Sequence, residues 1–460
     1  MERKALEELI KWKDDKYRKP LMVWGGRQTG KTYLIRDIFA RRYFPDNYIY
    51  VDFKVEDEIR DFCNSTASAA KIIEFISLFK EKRIDKNTLL IFDEIQECLN
   101  AVSSLKYFCQ DYPEIPVIAT GSMVRIRIQR YRNSRGPKNE GGFLFPTGKI
   151  NELTIYPMTF EEFLINANKM LYDNLAESFD NMKHLSVQVH EMAMDYLYKY
   201  LLVGGMPEAL SVFIEEKDLL KSRKLLKELY NNYLSDMELY QASRESILKS
   251  RSVFENIYAQ LNKESKNFKP GLIKEGSKTR DYDTPVNWLR MAHIVNLSYE
   301  LKERVTTPLI NKDDNSYRLY LGDIGMFSYQ SGINAASFIA KDRENTLSGV
   351  FFENYVANEL VAHDQKLFYW KGKDNNELEF IVESDNCLYP IDVKKGKGML
   401  NSLEKFSNHN KYDCAIKISA QSFGYDATKR LLTIPLYYTS FLCERLREGT
   451  LKKWLMQTRG

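Results

Sequence analysis

The sequence predicts an α/β protein of several domains, headed by a parallel sheet with helices on both of its faces. Three observations predict it. Between Pro20 and about Phe163, short apolar runs alternate with longer helical stretches. A glycine-rich segment of the form GxxxxGK[ST], Gly25 to Thr32, follows the first of those runs. A second strand-and-helix pattern then returns from Val350 to about Tyr438. At 460 residues the chain is too long for one core, and roughly two to four domains are expected.

Taken in order, MERKALEELIKWKDDKYRKP has the charge pattern of an amphipathic helix and no apolar signal core. LMVWG, Leu21 to Gly25, reads as a buried strand, and Lys31 to Arg42 as a helix. YIYVDF, Tyr48 to Phe53, is a second strand, and Ala70 to Lys80 carries an apolar stripe at helical spacing. TLLIFDE, Thr88 to Glu94, and IPVIATGS, Ile115 to Ser122, are further strands. Strands separated by helices imply a parallel sheet covered on both sides. After Pro157 the pattern is mostly helical to about Tyr240. From Ser250 to about Phe327 it changes. A helix is expected near Val253 to Leu261, and another from Thr284-Pro285, with Thr as cap and Pro at the first helical position. Strands are expected around Ile294 to Leu297 and Tyr317 to Leu321, so this stretch has the order of a winged helix. The last part reads helix, strand, strand, helix, strand.

Composition narrows the class. Hydrophobic residues at 44% and charged residues at 28% exclude a disordered or fibrous chain. A net charge of +4 gives no whole-chain argument for nucleic acid, which must come from local patches. The 6 cysteines stand far apart without a CxxC pair, which excludes the usual zinc spacing and does not suggest a disulfide framework. The 5 scattered histidines argue against a histidine-built metal site. No apolar run approaches the ~20 residues that span a bilayer. A cytoplasmic protein without a membrane partner is the expectation.

The segment GGRQTGKT comprises Gly25, Gly26, Arg27, Gln28, Thr29, Gly30, Lys31 and Thr32, with a strand before it and a helix after. Its glycines let the backbone wrap phosphates and aim N–H groups at them. Lys31 supplies a cation to the β and γ phosphates of ATP, and the Thr32 hydroxyl can ligate Mg²⁺. A chance glycine turn would not bring an acidic strand end with it. Here LLIFDE ends in Asp93, placed to hold the Mg²⁺ shell, and Glu94, placed to activate water. Ser122, in the TGS after the next strand, is read either as a γ-phosphate sensor or as a simple turn residue. Arg125, Arg127, Arg130, Arg132 and Arg135 crowd one stretch. A finger reaching a neighbouring subunit's ATP, which requires a homo-oligomer, competes with a nucleic-acid contact and with a solvated loop.

These motifs, with IFDEIQE, ATGS, IYPMTFEEFL (Ile155 to Leu164), YLLVGGMPEAL (Tyr200 to Leu210), YLGDIGMF (Tyr320 to Phe327) and FFENYVANEL (Phe351 to Leu360), occur in the order seen in a known group. The chain resembles bacterial and archaeal AAA-type ATPases that carry a C-terminal restriction-endonuclease-like domain. The resemblance covers most of the chain. It implies an AAA-type P-loop domain at 1–165, a helical lid at 166–245, a winged-helix-like domain at 246–330 and a nuclease-like domain at 331–460.

In that light ELEFIV, Glu377 to Val382, and YPIDVKKG, Tyr389 to Gly396, look like adjacent strands of a PD-(D/E)xK nuclease core. Such chemistry needs two carboxylates on Mg²⁺ and a lysine beside the attacking water. Asp392 and Lys394, two apart on a strand, share a face. Glu379 is the expected earlier metal ligand and Glu353, on the preceding helix, the accessory acid. Glu379 stands where Asp is typical and Asp392 where Glu is common, so each carboxylate is displaced by one methylene. An active centre and a retained but inactive fold are both consistent with this spelling. Lys263, Lys266, Lys269, Lys274, Lys278 and Arg280, with Phe268 and Tyr282 among them, form either a DNA-contacting patch or a solvated helix edge. Trp24, Trp288, Trp370 and His293 are read as packing residues. Two functions follow from the sequence: an ATPase coupled to a DNA-binding and DNA-cleaving C-terminal half, or a nucleotide-switched scaffold that binds a protein partner.

Overall fold

A computed structural model describes the whole chain except residues 129–144, 242, 303, 335–348, 373–375, 395–400, 422 and 458–460. Arg130, Arg132 and Arg135 therefore lie outside the described residues. The described chain forms two compact units, Glu2–Tyr156 and Pro157–Gly460, the second grouped with Met1.

Glu2–Tyr156 is built on a five-stranded sheet of β1 (Leu21–Trp24), β2 (Tyr48–Asp52), β3 (Leu89–Asp93), β4 (Val117–Thr120) and β5 (Asn151–Thr154). The spatial order is β2-β3-β4-β1-β5, and every neighbouring pair is parallel. Strand alternation explains why both faces are covered. Leu21, Val23, Leu89 and Ile91 point to a core shared with Leu9, Trp12 and Phe39. Met22, Trp24, Leu90 and Phe92 point to the opposite core with Phe53, Ile76 and Phe108. A strand buried on both faces must be apolar throughout, which is why LMVW and LLIF are continuous runs. The N-terminal helix, Ala5–Asp14, buries Leu9 and Trp12 on one side. The helix after the glycine-rich loop has π-type winding over Tyr33–Ala40 before Arg41–Tyr43. The fifth strand, β5, has no extended apolar run and was not expected from sequence.

Pro157–Gly460 opens with five helices: Phe160–Ala167, Lys169–Asp180, Val187–Val203, Pro207–Glu216 and Leu219–Tyr240. The first is started by a capping box. Thr159 Oγ1 accepts from the Glu162 N–H at 3.2 Å, and the Glu162 carboxylate accepts from the Thr159 N–H at 3.1 Å. The motifs YLLVGGMPEAL and YLGDIGMF meet each other here. Asp323 accepts from the Gly205 N–H at 2.7 Å and from the Met326 N–H at 2.9 Å. A Cβ on Gly205 would lie 2.0 Å from the Met158 carbonyl oxygen, so only glycine fits. These motifs are packing devices.

Helices Arg244–Glu255, Ile257–Leu261 and Asp283–Met291 precede an antiparallel hairpin, β6 (Val295–Leu301) and β7 (Lys312–Leu321). The third helix starts one residue before Thr284, directly after a 3-10 turn at Thr279–Tyr282, so Thr284 is not its cap. Pro285 falls at the third helical position, still within the turn whose N–H groups have no helical acceptor. His293 occupies a left-handed turn, φ 58°, between this helix and β6, and is half-buried rather than a core residue.

β6 also pairs in parallel with β8 (Leu367–Lys371), which pairs with the two-residue β9 (Glu377–Leu378). The resulting mixed sheet, β7-β6-β8-β9, draws strands from both sides of residue 330. A second mixed sheet has the order β10-β11-β12-β14-β13, from β10 (Phe380–Ser384), β11 (Cys387–Val393), β12 (Ala415–Ser419), β13 (Gly424–Asp426) and β14 (Leu431–Pro435). ELEFIV is thus two strands and not one, because the chain passes from one sheet to the other at Glu379. Helices Ile324–Gln330, Gly349–Ala362, Asn401–His409, Thr439–Arg447 and Leu451–Gln457 also belong to the unit. Trp370 is 1% exposed and meets Phe406 edge-on at 5.2 Å. Trp24 and Trp288 are buried as well.

No helix among the described residues is long and apolar enough to cross a membrane. All 6 cysteines are free thiols, and burial pushes Cys63 up to about 12 and Cys98 up to about 11.

Candidate functional site

The glycine-rich loop of Glu2–Tyr156 leaves the end of β1. Gly25 has φ +144°, and a Cβ there would stand 2.2 Å from the Ile155 carbonyl oxygen. The loop therefore turns against β5 only because the side chain is hydrogen. Gln28 is exposed at φ 60°, and Arg27 is half-buried beside it. Thr29 Oγ1 donates to the Gly26 carbonyl at 3.0 Å and braces the turn from within. Lys31 is 8% exposed, and its Nζ donates to the carbonyls of Gly25 at 3.1 Å and Gly26 at 2.6 Å. Burial lowers its pKa to about 8, against the opposing charges of Glu94 and Asp93. A cation held in this way could exchange its carbonyl partners for phosphate oxygens.

Thr32 and Asp93 come together: Thr32 Oγ1 donates to Asp93 Oδ2 at 2.7 Å. Tyr50, from β2, donates its hydroxyl to the same oxygen at 2.8 Å. The other carboxylate oxygen accepts from the Glu94 N–H at 2.9 Å. Thr32 and Asp93 could hold Mg²⁺, a hydroxyl and a carboxylate being the hard oxygen donors this ion prefers. Glu94 sits in a left-handed turn at φ 49° immediately after β3, and the Gln96 amide donates to its carboxylate. Burial raises the Glu94 pKa, the adjacent Asp93 adds to this, and the Gln96 contact and Lys31 oppose it. A carboxylate moved toward neutrality is better matched to taking a proton from water. Ser122 is half-buried in the turn after β4. Sequence reasoning missed Tyr50, Gln96 and Arg3. Arg3 donates from the N-terminal segment to the Thr29 carbonyl at 3.1 Å and the Tyr156 carbonyl at 2.7 Å.

The two described arginines after Ser122 are engaged within this unit. Arg125 lies 4.5 Å from the Trp24 ring centroid and 3.7 Å from Glu152, and Arg127 pairs with Glu97 at 2.8 Å.

A second cluster forms in Pro157–Gly460. Glu353 from helix Gly349–Ala362, Glu379 at the crossing between β9 and β10, Asp392 on β11 and Lys394 just beyond it converge. Lys394 Nζ lies 2.7 Å from Asp392 and 3.7 Å from Glu379. The Glu379 carboxylate accepts from the Val393 N–H at 3.1 Å, which locks the strand crossing onto the end of β11. The three carboxylates are at most 5% exposed. Burial would raise Glu379, but Lys394, Lys266 and the hydrogen bond from the Val393 N–H oppose it, and the group is held low. Asp392 is pushed up to about 7 by burial and by Glu379, against the pull of Lys394. Burial also raises Glu353.

This donor set fits a divalent cation. Both oxygens of Asp392 and Oε2 of Glu353 are buried without a well-angled hydrogen bond, although Lys394 stands close to Asp392. Buried carboxylate oxygens with spare lone pairs are what a metal would satisfy.

Lys266 belongs to this cluster and not to the exposed run of basic residues around it. It pairs with Glu353, lies 4.0 Å from Glu379 and is 17% exposed. Phe268 and Tyr282 are likewise core residues, with Phe268 stacked on Tyr317 at 5.6 Å. They offer no stacking platform to a base. Lys263, Lys269, Lys274, Lys278 and Arg280 remain exposed.

Residues 17–164 match a family described as an AAA domain. Residues 194–337 match a domain of unknown function (DUF8612), and 348–437 match another (DUF4143). No curated protein matches the chain. The first match and the five-stranded parallel sheet together support an AAA-type P-loop ATPase domain at the N-terminus.

Proposed function

We propose that the protein is a Mg-ATP-hydrolysing ATPase whose C-terminal half handles DNA through a metal-dependent nuclease-like centre. Gly25–Thr32 would bind the triphosphate, Thr32 and Asp93 the Mg²⁺, and Glu94 would orient or deprotonate water, with Ser122 beside the γ phosphate. In this reading 1–165 is the ATPase domain, 166–245 a helical lid, 246–330 a winged-helix-like domain and 331–460 a nuclease-like domain. The observation that carries the second half is the convergence of Glu353, Glu379 and the Asp392–Lys394 strand end from three separate parts of the chain. A divalent ion on Glu379 and Asp392 would polarise a phosphodiester, and Lys394 would position the attacking water.

The pairing of Lys266 with Glu353 favours a second reading. A lysine already neutralising the accessory acid suits a nucleotide-switched scaffold whose nuclease-like fold cuts nothing. The deciding experiment incubates the full chain with duplex, single-stranded and branched DNA in Mg²⁺ or Mn²⁺. The first reading expects cleavage, lost in Lys394→Ala and Asp392→Asn with ATP hydrolysis intact. Absence of cleavage by the wild type on all three substrates puts the scaffold reading first.

A further inference from the structure

Outside the carboxylate–lysine cluster, three elements of Pro157–Gly460 bring Glu161, His363 and Glu444 together. Glu161 comes from helix Phe160–Ala167, Glu444 from helix Thr439–Arg447, and His363 follows helix Gly349–Ala362. One ligand-type atom of each lies within 4.8 Å of the others. His363 Nε2 stands 3.5 Å from Glu444 Oε2. Glu161 and His363 are each 3% exposed, while Glu444 reaches the surface.

Hydrogen bonding fixes how these groups face one another. His363 Nδ1 lies 2.7 Å from the Glu359 carbonyl oxygen. A carbonyl only accepts, so Nδ1 carries the proton, and in the neutral ring Nε2 turns its lone pair toward the carboxylates. A metal-bound histidine is oriented in the same way, by donating its second nitrogen to a carbonyl or carboxylate. Tyr172 donates its hydroxyl to Glu161 Oε1 at 2.9 Å, and Arg447 pairs with Glu444 through Oε1, on the other side from His363. Two carboxylates and an imidazole lone pair thus converge, one carboxylate where an isolated charge is costly. Ligand atoms of a four-coordinate zinc ion are separated by ~3.3–3.6 Å, given bonds of about 2.0–2.2 Å. The His363–Glu444 separation falls in that range.

We propose that Glu161, His363 and Glu444 bind a divalent transition-metal ion of the zinc class, which clips helix Phe160–Ala167 to helices Gly349–Ala362 and Thr439–Arg447. The scarcity and spacing of histidine argue against a histidine-built site, but spacing detects only ligands close in sequence. These three come from segments that the fold alone assembles.

Chelator-stripped, nucleotide-free full chain titrated with Co²⁺, followed by its visible absorption and by competition with Zn²⁺, tests the site. Wild type and Asp392→Asn should both show a bound Co²⁺ equivalent, since Asp392 serves the other cluster. Glu444→Gln and His363→Gln should weaken it at least ~100-fold, more than the loss seen when only a supporting hydrogen bond is removed. Glu444 is partly exposed, so its glutamine variant should fold, and an unchanged metal-free melting midpoint checks this. With the other cluster disabled, Zn²⁺ should raise the midpoint of Asp392→Asn and leave that of the Asp392→Asn/Glu444→Gln double variant unmoved. Undiminished Co²⁺ affinity in both variants, or no Co²⁺ beyond what Asp392→Asn abolishes, overturns the proposal. The three groups would then be an imidazolium shared between two carboxylates.

Discussion

Lys31 is the residue on which the proposed nucleotide site depends most. Its ammonium is buried and its charge is shared with two carbonyls of its own loop. Each charge-assisted contact to a phosphate would contribute ~1.5–3 kcal/mol, so losing the cation should weaken ATP binding at least ~100-fold. Isothermal titration of Lys31→Ala is expected to show that loss, and wild-type affinity would remove the loop from the nucleotide site. At this scale the residues that the fold brings together were legible where they are contiguous in sequence. Gly25 to Thr32 is one string, and Asp93 and Glu94 end one apolar run. Tyr50, Arg3 and Lys266 carried no such signal, because each reaches its cluster from a distant segment. Lys266 in particular sits in a run of lysines whose other members are exposed, and only its pairing with Glu353 sets it apart.

Elements were legible to the extent that their burial was uniform. β1 is apolar along its whole length and β3 as far as Asp93, because both faces are covered, so their runs stood out. β5 has one exposed and three half-buried positions and did not. ELEFIV looked continuous because residues on both sides of Glu379 are apolar, yet they serve two different sheets. The contacts between elements can be tested through Glu359, on helix Gly349–Ala362. Its carboxylate accepts from the Phe160 N–H at 2.9 Å and from the Ser440 hydroxyl at 2.6 Å. Burial raises it from 4.5 to about 7 despite both hydrogen bonds. The folded state therefore keeps a proton that the unfolded chain has already lost. Stability from this group is full below pH 4.5 and is lost as pH rises to about 7, by up to ~1.4 kcal/mol per unit. Glu359→Gln keeps an acceptor for Phe160 and does not titrate. Melting midpoints followed from about pH 5 to about pH 7.5 should diverge in the variant's favour and run parallel at higher pH. Curves parallel throughout would mean that Glu359 titrates normally.

For the whole molecule, composition said little, since a charge of +4 on 460 residues points to no partner. What organises the chain is its division into Glu2–Tyr156 and Pro157–Gly460, each with a cluster of buried acids and lysine. The ATPase assignment rests on the first unit and on the AAA-domain match over 17–164. Steady-state ATP hydrolysis by the intact chain, wild type against Glu94→Gln, tests that assignment most directly. Glu94→Gln should bind Mg-ATP as the wild type does and turn it over at least ~100-fold more slowly, the size of a lost general base. Equal turnover in the two proteins, or no Mg²⁺-dependent turnover in the wild type, would contradict the account.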